Sequence, residues 1–312
     1  MHQPDRILPG VALMLAFCVT APLLDVAAKL AAATIPVGQI TTARFVGQAA
    51  FTVPLALAMG MDWRMPPRVA ALVLLRSVLL IASTFCFVAA VRVMPLADAL
   101  AIVFVEPMIL MLLGWALFGD RVGPRRIAAS AVGFGGAMLV IQPSLAVFGT
   151  VALYPLGTAL AFAGYMLVTR RLARDMAPVA MQVQTSLVGS AICLPLLVLA
   201  DGSGIALVDP VMPAGVEWLW LAGVGFWAAV SHMMMTYALR FAPSATLAPL
   251  QYLEIPVAVA AGWLVFSDFP NPLTWAGIAV ISGSGLYIIH RERLAAREPA
   301  HRAPARAPGA AG

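Results

Sequence analysis

Apolar residues run almost unbroken at about 10–32, 37–60, 69–92, 96–118 and 124–142, then again at about 150–170, 178–200, 215–240, 244–267 and 272–290. Each run is bounded by charge, Pro or Gly, and each approaches the ~20 residues an α-helix needs to cross a hydrocarbon core. The pattern predicts an all-α membrane protein with ten transmembrane helices and both termini on one side. The first run follows only Met1 to Pro9, is longer than a signal-peptide core and has no small-residue cleavage pattern after it, so it reads as a retained span.

The rare residues inside these runs repeat. AVRVMPLADALAIVFVEPMILMLLGWALFGD, from Ala90 to Asp120, aligns without a gap to ALRFAPSATLAPLQYLEIPVAVAAGWLVFSD, from Ala238 to Asp268, at an offset of 148. The match pairs Arg92 with Arg240, Pro95 with Pro243, Glu106 with Glu254, Gly114 with Gly262, Trp115 with Trp263 and Asp120 with Asp268. Chance agreement in so apolar a chain would fall on Ala, Leu and Val, so agreement at these letters indicates an internal repeat. Weaker echoes are Phe45-Val46-Gly47-Gln48-Ala49 with Leu187-Val188-Gly189-Ser190-Ala191, and Ser83 with Ser231. The expected organisation is a five-helix repeat over 10–142, a second over 150–290, and a disordered cytoplasmic tail over 291–312. Two copies of an odd-numbered unit insert in opposite senses, which makes the repeats inverted.

Composition narrows the class: 62% of residues are apolar and 11% charged, far from the ~25% charged residues of soluble domains. Cys18, Cys86 and Cys193 lie in apolar runs with no disulfide or metal spacing. The net charge of +5 comes from arginines clustered at the ends of runs, not from an aromatic-laced basic surface, so no nucleic-acid partner is expected. The arginines set orientation instead. Placing both termini in the cytoplasm collects Arg6, Arg64, Arg68, Arg121, Arg125, Arg126, Arg170, Arg171, Arg174, Arg240 and the tail arginines inside, leaving Lys29 and Arg92 near the outer ends.

Ionisable residues left at membrane depth are Asp25, Lys29, Arg44, Arg76, Asp98, Glu106, His232 and Glu254. A charge at the bilayer centre costs roughly 2.5–3.5 kcal/mol on insertion scales, so these groups should face the bundle interior and outline a cavity. Glu106 and Glu254 each follow a proline by eleven residues, which puts them about 16 Å into a hydrocarbon layer of about 30 Å. Pro107 and Pro256 follow them and predict kinks beside the carboxyls. Glu106 follows an apolar stretch and reads as the structural member, donating to loosened backbone; Glu254, beside Gln251 and Tyr252, reads as the wetter candidate for substrate or proton contact.

Asp25 and Lys29 have the i, i+4 spacing of an ion pair, just after Pro22; substrate contact is the alternative. Arg44, opposite Ser186 in the second half, is a candidate anion-facing charge that could also pair with Asp25 or snorkel. Arg76 is a candidate that could reach the cytoplasmic interface. Asp98 is expected to pair with Arg92 at the outer rim. His232 stands where the first half has Thr84, and Tyr165, Trp227, Gln251 and Tyr252 could add aromatic and amide contacts.

The second-span arginine in TTARFVGQAA, the segment PLADALAIVFVEPMILMLLGWALFGDRVGPRRIAASAVGFGGAMLVIQP and its partner APLQYLEIPVAVAAGWLVFSDFPNPLTWAGIAVISGSGLYI resemble the EamA family of the drug/metabolite transporter superfamily. The resemblance covers about residues 10–290 and implies a ten-helix carrier. Where family members often have Glu at the end of the fourth and ninth spans, this chain has Asp120 and Asp268. DVAAK followed by IPVGQITTAR is similar to the subgroup with S-adenosylmethionine uptake carriers.

The expected function is a secondary transporter in a bacterial inner membrane, moving a small polar or zwitterionic metabolite, an amino acid derivative or an S-adenosylmethionine-like compound, by alternating access. A coupling proton joins substrate and bilayer as an expected partner. No cofactor and no metal are expected. A membrane-embedded enzyme and a channel are the rival classes, and the enzyme lacks any HExxH, GxSxG or Walker-type motif.

Overall fold

The computed structural model describes residues 7–60, 65–118, 124–173, 175–241, 250–251 and 253–297. Asp120, Arg121, Arg174 and Tyr252 lie outside the described residues, as does the tail from 298 onward. The helices are α1 (Ile7–Ala31), α2 (Val37–Ala58), α3 (Pro67–Val91), α4 (Leu96–Val103), α5 (Glu106–Phe118), α6 (Pro124–Phe148), α7 (Tyr154–Leu172), α8 (Pro178–Leu199), α9 (Glu217–Phe241), α10 (Glu254–Phe266) and α11 (Pro272–Arg297). A short 3₁₀ turn, Gly149–Leu153, joins α6 to α7. No strand occurs among the described residues. Five of the described helices are long and apolar enough to cross a membrane.

Prolines punctuate this order. Pro36, Pro66 and Pro95 hold extended backbone immediately before α2, α3 and α4, while Pro67 and Pro178 occupy the first turn of α3 and α8. A proline fits there because its fixed φ suits a helix start and its missing N–H would have no intrahelical partner anyway. Inside the long helices, α1 continues through Pro22 as helix. α11 runs on to Arg297, past the point at which the tail was expected to begin.

The helices of the two halves interleave. α1 packs on α9 and α3 on α7; α2 packs on α8, α6 on α11 and α4 on α10. Counting each half as five units, with α4 and α5 as one, the first two contacts exchange when the halves are swapped and the other three map onto themselves. That is the contact pattern of a two-fold axis between repeats. Glycine makes the closest crossing possible, since a Cβ on Gly47 of α2 would stand 2.7 Å from Gly225 Cα of α9. Gly189 of α8 gives room to the Phe45 ring. The sequence echo that pairs Gly47 with Gly189 therefore marks one close approach in each half.

Candidate functional site

Two helix interruptions build the site. α4 ends at Val103, Phe104 and Val105 form a turn, and α5 restarts at Glu106; in the second half Leu253 is a turn residue and α10 starts at Glu254. The expected kink is thus a break, and the prolines fall in the first turn of the second half-helix, where they interrupt no bond. Each carboxyl stands at the N-terminus of a half-helix, where the helix dipole favours negative charge.

Both carboxyls line one internal cavity with Asp25, Arg44, His232 and Gln251, so these six candidate residues come together, and Lys29 and Arg76 do not join them. Phe17, Phe87, Phe104 and Phe162, with Ser83, Thr84 and Thr158, complete its working surface. The phenylalanines gave no signal in the sequence because an aromatic in an apolar helix is ordinarily core. The hydroxyls were visible only as small polar letters, although Thr84 stands at the repeat position of His232.

That equivalence has a structural counterpart. Arg44 of α2 donates to Thr84 Oγ1 of α3 and to His232 Nε2 of α9, 2.7 Å away, so residues matched by the repeat hold one guanidinium from two sides. Arginine only donates, which makes Nε2 the acceptor and places the imidazole proton on Nδ1. Nδ1 is 3.3 Å from the Tyr165 hydroxyl oxygen, which also accepts from Arg76 Nη2 at 2.6 Å. Behind the cavity wall, Gln182 donates to the His232 carbonyl at 2.9 Å and to Thr236 at 2.8 Å, and accepts from Gln48 at 3.1 Å.

Arg76 does not line the cavity and does not reach the interface. It is 0% exposed, donating from Nε to Thr169 at 2.9 Å, from Nη1 to the Met181 carbonyl at 3.2 Å and to Thr185, with its guanidinium 4.4 Å from the Tyr165 ring centroid. Neutral oxygens on α7 and α8 satisfy the buried charge, and the next member of the chain is the residue that fixes His232.

Lys29 departs from the expected pairing with Asp25. Its Nζ pairs with Asp268 Oδ2, donates to the Met94 carbonyl at 3.2 Å and lies 4.6 Å from the Phe266 ring centroid. A left-handed turn at Ser267, φ 58°, with Asp268 N–H bonded to the Gly262 carbonyl at 3.2 Å, carries Asp268 there. Asp25, freed from Lys29, faces the cavity and the charge of Arg44. The expected Asp98–Arg92 pair is also replaced: Asp98 accepts from Thr274 at 2.7 Å, and Arg92 donates to the Ala206 carbonyl at 3.3 Å. Glu106 makes no helix-locking bond through Oε1, which has no partner among the described residues. No group of three or more metal-ligating side chains occurs among the described residues.

The profile of the EamA-like transporter family matches residues 8–142 and 149–290, nearly the whole chain in two copies. The chain belongs to the EamA-like transporter family. Among relatives of this EamA-like transporter, a riboflavin transporter of Rhizobium johnstonii is 32% identical over 73% of this chain and 72% of its own. A riboflavin transporter of Vibrio cholerae is 29% identical over 65% of each chain, and an S-adenosylmethionine uptake transporter of Rickettsia prowazekii is 21% identical over 92% of this chain and 94% of its own. A solved crystal structure shares the fold, with a TM-score of 0.62 and 19% identity over 91% of this chain and 99% of that one. The protein is a multi-pass membrane transporter of small metabolites and not an enzyme.

Proposed function

We propose that this EamA-like transporter carries a flat heteroaromatic metabolite of the flavin class across a bacterial inner membrane, by alternating access between two inverted five-helix repeats with both termini cytoplasmic. The observation that carries the reading is the cavity itself: phenylalanine rings from α1, α3, α7 and the α4–α5 turn surround a small set of convergent polar groups drawn from both repeats. Such a lining offers faces to a planar ring and a few directed contacts to its edge. Riboflavin is the substrate named for the relatives at 32% and 29% identity.

The broken fourth and ninth spans support a carrier, since interrupted helices at the repeat interface are the usual site of substrate in inverted-repeat transporters. The contacts support one topology. Lys29, Arg92 and Asp98, which this topology puts near the outer side, meet Asp268, Ala206 and Thr274, and Gln39 meets Val211.

A second reading, a cationic metabolite of the S-adenosylmethionine class, draws on the three carboxyl groups, Asp25, Glu106 and Glu254, that face a single arginine in the cavity. The zwitterionic substrate suggested by the sequence belongs here. A coupling proton is part of either reading, with Glu254 its candidate site.

Purified protein in liposomes decides between them. Riboflavin loaded on one side should accelerate entry of labelled riboflavin from the other, and S-adenosylmethionine in tenfold excess should leave that exchange unchanged. Exchange of S-adenosylmethionine without riboflavin would establish the second reading instead. Flux without acceleration by substrate on the far side would indicate a channel.

A further inference from the structure

Between the cavity and the end of the bundle that carries Lys29, the two repeats meet in two layers. The first is apolar. Leu100 of α4 lines the cavity, and one turn before it Leu96 and Ala97 are buried in the core. Glu254 lines the cavity at the start of α10, and one turn after it Ala258 and Val259 are buried in the same core cluster. A Cβ on Gly262 would stand 3.8 Å from Leu96 Cβ, so α4 and α10 approach each other at van der Waals distance, one helix from each repeat.

The second layer is polar and lies farther along the same two helices. Lys29, in the last turn of α1, bonds to Asp268, just after α10, and to the Met94 carbonyl, just before α4. One cation therefore ties three segments drawn from both repeats. Asp98 of α4, bonded to Thr274 of α11, lies within electrostatic reach of both Lys29 and Asp268. The two layers differ from the Arg76 cluster in how they can separate. Arg76 is fully enclosed and would leave several donors unpaired. The Lys29 and Asp268 side chains keep some exposure, so water can replace their bond, and small residues such as Ala97, Ala258 and Gly262 present little to interlock.

We propose that this stack is a gate of the transport cycle, with the α4–α10 contact as its seal and the Lys29–Asp268 pair as its latch. Breaking the latch and parting α4 from α10 connects the cavity to the side that Lys29 faces, which the topology above assigns to the outside. Closing it restores the apolar layer against water and solute. The inference rests on the alternating-access reading and not on the identity of the substrate.

Two measurements test it, both in a chain whose Cys18, Cys86 and Cys193 are replaced. Cysteines at Leu96 and Gly262 would have their Cβ atoms 3.8 Å apart, a spacing that suits a disulfide. Oxidation should cross-link this variant and stop riboflavin exchange in liposomes, and reduction should restore it, while each single-cysteine variant is indifferent to both treatments. The second measurement needs no substrate. A reporter cysteine at Ser83, on the cavity wall, is labelled in intact cells by a membrane-impermeant methanethiosulfonate. Asp268→Asn should raise the labelling rate about threefold to tenfold, the population shift expected when one partly buried ion pair is lost. Continued exchange by the cross-linked protein, or a labelling rate unchanged by Asp268→Asn, would overturn the gate. Faster labelling in a protein that exchanges no riboflavin would overturn the flavin-class reading and leave the gate standing.

Discussion

Lys29 is paired with Asp268, in the segment after α10, and not with Asp25 one turn back on its own helix. The reason is position. Lys29 lies in the last turn of α1, where a cation is favoured by the helix C-terminus, and it reaches outward to the Met94 carbonyl and the Phe266 ring, while Asp25 lies deeper on the cavity wall. The ion pair joins the two repeats at the end of the bundle just beyond the cavity.

That arrangement predicts which pair of substitutions couples. With Lys29 and Asp268 side chains 14% and 27% exposed, removal of one partner strands the other in a partly desolvated place. Asp268→Asn should lower the melting temperature of the purified protein more than Asp268→Asn combined with Lys29→Met, a coupling of about 1–3 kcal/mol. Asp25→Asn and Lys29→Met should be additive. Coupling in the second pair and none in the first would reassign the bridge.

A second prediction concerns the chain of bonds from Arg76 to Arg44. Tyr165→Phe removes the oxygen that accepts from Arg76 and His232, leaving two buried donors unpaired at a cost of about 1–3 kcal/mol each. The variant should melt lower, and because His232 then loses its orientation against Arg44, KM for transport should rise while kcat changes less. A lower melting temperature with unchanged KM would make Tyr165 part of the packing alone. Arg76→Lys should destabilise too, since one ammonium has three donors and lacks the planar fork that serves Thr169, Thr185, the Met181 carbonyl and Tyr165 together.

The repeat was legible because charged residues are rare inside the apolar runs and their recurrence survives when Leu and Val drift. The same rarity exposed Asp25, Arg44, Glu106, His232, Gln251 and Glu254, all of which reach the cavity. Partners were not legible. Spacing proposed Asp25 for Lys29 and Arg92 for Asp98, but a side chain selects its partner by depth and by the turns of distant segments, such as the one at Ser267. A proline after a glutamate likewise signals that a helix changes there without distinguishing a kink from the break observed before Glu106. Phe17, Phe87, Phe104 and Phe162 carried no signal at all, since their role comes from facing a cavity and not from being aromatic.

The crossing of α2 and α9 gives a third prediction. Gly47→Ala would bring a methyl to 2.7 Å from Gly225 Cα, a backbone atom that cannot swing away. The helices would have to part, breaking α2 contacts near Arg44, and a loss of about 1–3 kcal/mol is expected, in the range of overpacked cores. Gly135→Ala and Gly283→Ala, where nothing lies within 4 Å of an added Cβ, should leave melting unchanged. Equal tolerance at all three positions would contradict the close approach.

The last prediction tests orientation, on which the direction of every gate depends. Arginines gather at the segments between α2 and α3, α5 and α6, and α7 and α8, and the positive-inside rule puts those segments in the cytoplasm. The opposite end carries the segment from Asp201 to Pro213, which contains no Lys or Arg and meets α2 through the Gln39–Val211 bonds of 2.8 and 3.0 Å. Cys18, Cys86 and Cys193 are replaced first, and single cysteines are then placed at Met212, which is 85% exposed, and at Asp175, whose side chain is 43% exposed beyond the end of α7. Gly149 is a poorer probe, because its φ of +61° favours glycine. In intact cells a membrane-impermeant thiol reagent should label Met212→Cys and spare Asp175→Cys, which should react only after the membrane is opened. The reverse pattern would invert the chain, placing the Lys29–Asp268 bridge at the cytoplasmic end of the bundle.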